Sequence, residues 1–156
     1  MKINWKLLII CIAIPLAVGG ISALVTHEAM ESFSSLNQPP LSPPPSLFPV
    51  VWSILFTLMG IASYLVCTSG AQREEIRGAL WLYGIQLLIN FLWTIIFFNF
   101  AMYTFAFLWI LMLLAFVIAN TVSFYKIRKS AGLLLLPYVA WIIFAGYLNF
   151  MISVLN

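Results

Sequence analysis

Charge is what this 156-residue chain has least of: 7% of its residues are charged, while 64% are hydrophobic. An ordinary globular domain carries about a quarter charged residues. Cysteine is nearly missing too. Cys11 and Cys67 both sit in apolar runs, with no CxxC and no Cys/His cluster. They read as small buried hydrophobes, so neither a disulfide framework nor a metal site is expected. Histidine occurs once, as His27. A loop-margin haem ligand and a solvated side chain are its two readings. No Ser/His/Asp set, paired carboxylates, Gly-rich phosphate loop or HExxH is present, which removes conventional hydrolase, transferase and metalloprotease chemistry. No basic stripe runs along any segment, and nucleic acid is not an expected partner.

Long apolar runs take the place of these features. Several exceed the roughly 20 residues that cross a bilayer. The expected architecture is an all-α integral membrane protein, one domain over residues 1–156. Its five transmembrane helices fall at about 5–26, 47–68, 78–99, 103–125 and 131–155, with loop one at 27–46. The basic start resembles a signal peptide, but the first apolar run is too long for one. The break near Phe100–Met102 carries no charge. It is required because one helix from Gly78 to Tyr125 would be about 72 Å long, over twice a bilayer core. With five spans, all seven Lys and Arg fall on one side: Lys2, Lys6, Arg73, Arg77, Lys126, Arg128 and Lys129. The positive-inside rule then makes the N-terminus cytoplasmic and places loop one outside. A multi-pass protein of the cell membrane follows. Pro15 and Pro137 predict kinks, and Gly19-Gly20 a close helix contact.

Six of the eight prolines crowd into Gln38–Trp52, QPPLSPPPSLFPVVW. Proline fixes φ and removes a donor, so this stretch is stiff and extended. It is either a plain linker or a lid over a site.

No Asp, Glu, Lys or Arg lies inside an expected span, which argues against a proton pump or an ion-coupled transporter. The polar groups there are few. Gln86, Asn90, Trp93 and Phe97 share one face of span three by helical spacing. Trp52, Phe56 and Met59 share a face of span two, and Tyr138, Trp141, Ala145 and Leu148 one of span five. Asn90 reads equally as interhelical glue or as a ligand contact. Trp5 and Trp81 fit an interfacial belt. Trp52, Trp93 and Trp109 lie about 7–8 Å to the loop-one side of their span centres, and Trp141 lies near the middle. That depth leaves two readings, an aromatic-lined cavity under loop one or plain aromatic packing. Gly19/Ala23 and Ala115/Ala119 are small-xxx-small pairs, each a dimer face or an internal contact.

Three motifs, PPLSPPPSLFPVVW, NFLWTIIFF (Asn90–Phe98) and PYVAWIIFAGYLN (Pro137–Asn149), are ordered and spaced so that nearly the whole chain resembles the translocator protein family. That family is also called tryptophan-rich sensory protein or peripheral benzodiazepine receptor. The resemblance implies a five-helix bundle that binds porphyrins and hydrophobic drug-like molecules beneath loop one, and it implies homodimers. It assigns Trp52, Asn90, Trp141 and Ala145 to the pocket. Pro43, Pro44 and Phe48 would come from the lid and the start of span two, and Leu148 from span five. Two features depart from the family pattern. Ser32 and Phe33 stand where members carry Trp or Tyr, and no basic residue follows Tyr147 as in the sterol motif of animal members. Val122-x-x-Tyr125-x-x-Arg128 matches a cholesterol pattern by letter only. A bacterial-type member without sterol is the simpler reading.

The candidate ligand-binding set is therefore Pro43, Pro44, Phe48, Trp52, Phe56, Gln86, Asn90, Trp93, Phe97, Trp109, Tyr138, Trp141, Ala145 and Leu148. No cofactor is required, and a porphyrin is ligand or substrate. Three functions compete. Receptor-like binding is favoured. Light-dependent porphyrin breakdown, suggested by the resemblance, comes second, with Trp52 and Trp141 donating electrons to an excited ring or reacting with its oxygen products. Passive carriage of hydrophobic small molecules is third.

Overall fold

A computed structural model describes residues 3–156. Helix α1 spans Trp5–Phe33, α2 Leu47–Cys67 and α3 Arg73–Thr94, which ends in a π-helical turn at Ile95–Asn99. Helix α4 spans Tyr103–Ile127, α5 Lys129–Leu134 and α6 Leu136–Leu155. Helices α5 and α6 together make one span, giving five membrane-crossing segments and no strands among the described residues. This matches the expected bundle. A chain in hydrocarbon must satisfy its backbone within each segment, so helices are the only solution for such runs.

Several boundaries differ from expectation, α4 for instance running on to Ile127 rather than 125. The first helix continues seven residues past Thr26, so loop one is residues 34–46 rather than 27–46. HEAMESF contains no Gly or Pro to stop it, and Phe33 packs on Phe97 and Phe98 at centroid distances of 5.5 and 5.4 Å. The third helix begins at Arg73 rather than 78. Glu74 and Glu75 lie in its first turn, where acidic side chains favour the positive helix end. An Arg77–Glu74 pair adds to it at 2.9 Å. The fifth span begins at Lys129 rather than 131, and it is interrupted at Leu135. Pro137, in the first turn of α6, lacks an N–H and crowds the preceding carbonyls, which accounts for that break. By contrast α1 runs uninterrupted through Pro15.

The helices close into a ring in the order α1, α2, α5/α6, α4, α3 and back to α1. Helix α1 is the most lipid-exposed, with only Cys11, Pro15 and Thr26 buried along it. It lies against α2 at Gly60, where an added Cβ would meet Ile12 Cα at 2.5 Å. Helix α1 approaches α2 again at Gly19, where an added Cβ would strike the Phe56 ring. Gly19 is thus an internal contact, whereas Gly20 has nothing within 4 Å. Ala115 and Ala119 lie on the exposed face of α4.

Lys6, Arg73, Arg77, Lys126, Arg128 and Lys129 gather at the end opposite loop one. Lys2 lies outside the described residues.

Candidate functional site

The middle of the bundle core is organised by α3 and α6. Gln86 and Asn90 are one turn apart on α3, and both turn inward. There they meet Tyr138, in the first turn of α6. Asn90 Nδ2 donates to the Tyr138 hydroxyl at 2.7 Å, and that hydroxyl donates to Gln86 Oε1 at 2.9 Å. Gln86 Nε2 points at Met59 Sδ on α2, 3.7 Å away. Relative exposures of 0%, 3% and 1% for Gln86, Asn90 and Tyr138 put the network beyond water. Such groups must pair with one another or stay unpaired at a cost.

An aromatic wall stands beside this network. Trp52 stacks on Phe56 at 5.3 Å and meets the Tyr138 ring edge-on at 6.2 Å. One turn before Trp52, Phe48 meets Trp141 edge-on at 5.9 Å. Trp141 also tilts against Phe144. Trp52, Phe56, Gln86, Asn90 and Tyr138 thus form one connected cluster from α2, α3 and α6, and the Phe48–Trp141 pair stands beside it, one helical turn from Trp52 on α2 and from Tyr138 on α6. The Trp141 indole N–H is shielded and has no hydrogen-bond partner. Ala145 and Leu148 are buried farther along α6.

Trp93, Phe97 and Trp109 are placed elsewhere. Trp93 stacks on Phe97, which in turn meets Phe33 of α1 and Tyr103 of α4. The Trp93 indole donates to Asn149 Oδ1 at 3.1 Å, and Asn149 Nδ2 donates to the Tyr103 carbonyl at 2.8 Å. Trp109 donates to the Ile89 carbonyl at 2.9 Å, tying α4 to α3. These three tryptophan-face residues pin α1, α3, α4 and α6 together. Replacing Asn149 with Leu would orphan one buried donor and one acceptor. The expected loss is about 1–2 kcal/mol, given that bilayer reference states soften such penalties. Thermal unfolding in a fixed detergent measures it.

Loop one is fastened over this end. Tyr147 donates its hydroxyl to the Pro40 carbonyl at 3.0 Å. The Asn37 N–H donates to Asn156 Oδ1 at 3.1 Å, and Asn156 Nδ2 returns a bond to the Asn37 carbonyl at 3.3 Å. Pro39 is buried, Pro43 is half-buried and Pro44 is exposed. Leu41 holds a left-handed φ of 67°, a strained conformation for a branched side chain. The anchors of loop one, Tyr147, Asn37 and Asn156, are not legible in the sequence. A tyrosine near a helix end signals an interface as readily as a loop contact.

Two apolar grooves flank the cluster. One, of about 420 Å³, lies between α2 and α6 and includes Trp141 and Phe144 in its wall. The other, of about 260 Å³, lies between α4 and α6 along Phe107, Gly146 and Phe150. Among the described residues no group of His, Cys, Asp or Glu could hold a metal ion.

Comparison with known proteins agrees with this architecture. The TspO/MBR family matches residues 11–155. The chain is 37% identical over 150 residues to "Tryptophan-rich protein TspO" of Chlorobaculum tepidum, covering 96% of this chain and 95% of that protein. It is 33% identical over 156 residues to the "Tryptophan-rich sensory protein" of Cereibacter sphaeroides, covering 100% and 95%. Human "Translocator protein" is 34% identical over 130 residues, covering 83% and 77%. Five membrane-crossing helices and a match over nearly the full length together show a multi-pass membrane protein that belongs to the TspO/MBR family.

Proposed function

We propose that this protein binds porphyrins and other flat hydrophobic molecules in the Phe48–Trp52–Tyr138–Trp141 cluster beneath loop one, and acts as a membrane receptor or sensor for them. The observation that carries the reading is the convergence of three large rings and an amide-hydroxyl network on one place. Trp52 meets Tyr138, which Asn90 holds by a hydrogen bond, and Trp141 stands one turn from Tyr138 on α6, packed on Phe48. Flat aromatic ligands stack on indole and phenol faces, and a few placed polar groups orient them. The family membership and the "sensory protein" name of a relative are in keeping with it.

The electrostatics set the character of the binding. The loop-one end carries Glu28 and Glu31, while the described Lys and Arg residues lie at the other end. By the positive-inside rule the loop-one end faces away from the cytoplasm. Porphyrin carboxylates find no ion pair there, so stacking supplies the affinity. Binding is expected to be low micromolar or weaker and to change little with salt.

The test is tryptophan fluorescence quenching by protoporphyrin IX, titrated in the dark. Saturable quenching is expected for the wild type and for Trp81→Phe, whose ring is exposed on α3. Loss of the saturable phase is expected in Trp52→Ala plus Trp141→Ala. An undiminished saturable phase in that double variant would place the ligand elsewhere.

A further inference from the structure

We propose that hydrophobic ligands reach the aromatic cluster sideways from the lipid, through the groove between α2 and α6, rather than from water through loop one. This rests on the binding reading above and concerns its route.

Four observations carry it. First, α2 packs on α5 but makes hardly any contact with α6, so the α2–α6 seam is only loosely closed. Second, the seam holds the groove of about 420 Å³ lined by Val51, Ile54, Leu55, Pro137, Ala140 and Phe144. Ile54, Pro137 and Ala140 are exposed, so the groove faces the hydrocarbon. Its lining offers a molecule dissolved in lipid no desolvation penalty. Third, only side chains separate the groove from the cluster. The Phe48 ring meets Trp141 edge-on at 5.9 Å, and Phe48 lies one turn from Trp52 on the same helix. Trp141 is itself part of the groove wall, so on this route parting the pair leads from the groove toward Trp52. Parting it also frees the shielded, partnerless Trp141 N–H for a ligand carbonyl. Fourth, the roof is tied down. Tyr147 holds the Pro40 carbonyl, Asn37 and Asn156 exchange hydrogen bonds, and Pro39 is buried. Opening it breaks all of these at once, whereas the side route breaks none.

The route selects neutral, flat molecules that partition into a bilayer and carry an acceptor. Protoporphyrin IX dimethyl ester is such a probe. Its binding to protein in phosphatidylcholine nanodiscs would be followed by stopped-flow tryptophan quenching. Two perturbations separate the routes. Ala140→Trp fills the groove, with Ala140→Leu as a milder second variant in case the first misfolds. Loop one would be locked by a short bis-maleimide joining Asn37→Cys to Asn156→Cys, in a chain with Cys11→Ala and Cys67→Ala. Expected is a fall of about tenfold in both association and dissociation rates for Ala140→Trp, with Kd nearly unchanged and Ala140→Leu intermediate. The lid lock is expected to alter the rates by less than about twofold. The opposite pattern, with slow binding in the locked lid and wild-type rates in both groove variants, would overturn the proposal. So would a weakened Kd with faster dissociation in Ala140→Trp, since that makes the groove the site and not the route. Absence of saturable quenching in the wild type would remove the binding reading itself, and the route with it.

Discussion

Gly60→Ala is expected to destabilise the protein by about 3 kcal/mol, at the upper end of what overpacking costs. The reason is what the new methyl would strike. An added Cβ meets Ile12 Cα at 2.5 Å and the Cys11 carbonyl at 2.7 Å. Both are backbone atoms of α1, so no rotamer change can make room. Helix α1 must move off α2 as a body. It has little else to hold it, because only three of its 29 residues are buried. In lipid, helix association depends on close packing rather than on apolar burial, so a wider spacing forfeits most of what binds α1. Gly132→Ala is expected to behave alike, as its Cβ would meet the Tyr125 backbone at 2.7–2.8 Å in the tight α4–α5 turn. Gly84→Ala is the control. Nothing lies within 4 Å of its Cβ, and alanine favours the helix by about 1 kcal/mol. Thermal unfolding of the three variants in one detergent reads all of this. A Gly60→Ala melting curve that overlays the wild type would mean the helices have slack at this crossing.

Tyr138→Phe is expected to cost about 1–2 kcal/mol of stability and to weaken porphyrin binding as well. One oxygen is removed, yet two partners lose their bonds: Asn90 Nδ2 loses its acceptor and Gln86 Oε1 its donor. Both are buried, so water cannot replace the hydroxyl. Soluble-protein penalties run to about 3 kcal/mol for each orphaned group, but the unfolded state in a membrane also finds partners, which pulls the figure down. The binding effect has a different cause. Tyr138 is the ring that Trp52 meets edge-on, and its hydroxyl fixes that ring's orientation. The ring survives in Tyr138→Phe but is no longer steered. A Gln86→Leu plus Tyr138→Phe double variant should recover part of the lost stability, because it leaves one polar group unpaired instead of two. Equal stability of the single and double variants would show that the Tyr138–Gln86 bond contributes nothing measurable.

The site was readable in part, and particular residues show where reading stopped. Helical spacing put Gln86, Asn90, Trp93 and Phe97 on one inward face, and all four are buried. Spacing cannot say what such a face meets. Asn90 reaches Tyr138, while Trp93, one turn on, reaches Asn149, so one stripe serves two separate clusters. By sequence Phe33 falls in a loop, because His27 and two glutamates mark a polar stretch. It is helical because it has Phe97 and Phe98 to rest on. Trp109 has the same depth as Trp52, but it turns its N–H to the Ile89 carbonyl and serves the α3–α4 contact.

Hydropathy and proline placement alone determined that the chain crosses the membrane five times, with a stiff connection after the first crossing. Both are local properties: a segment in hydrocarbon must close its own backbone bonds, and a cluster of prolines cannot. The order of helices around the ring, the loosely closed α2–α6 seam and the pairing of each buried polar group were decided only in three dimensions. Each depends on how a helix is rotated and tilted against its neighbours, and close packing between distant residues sets those angles.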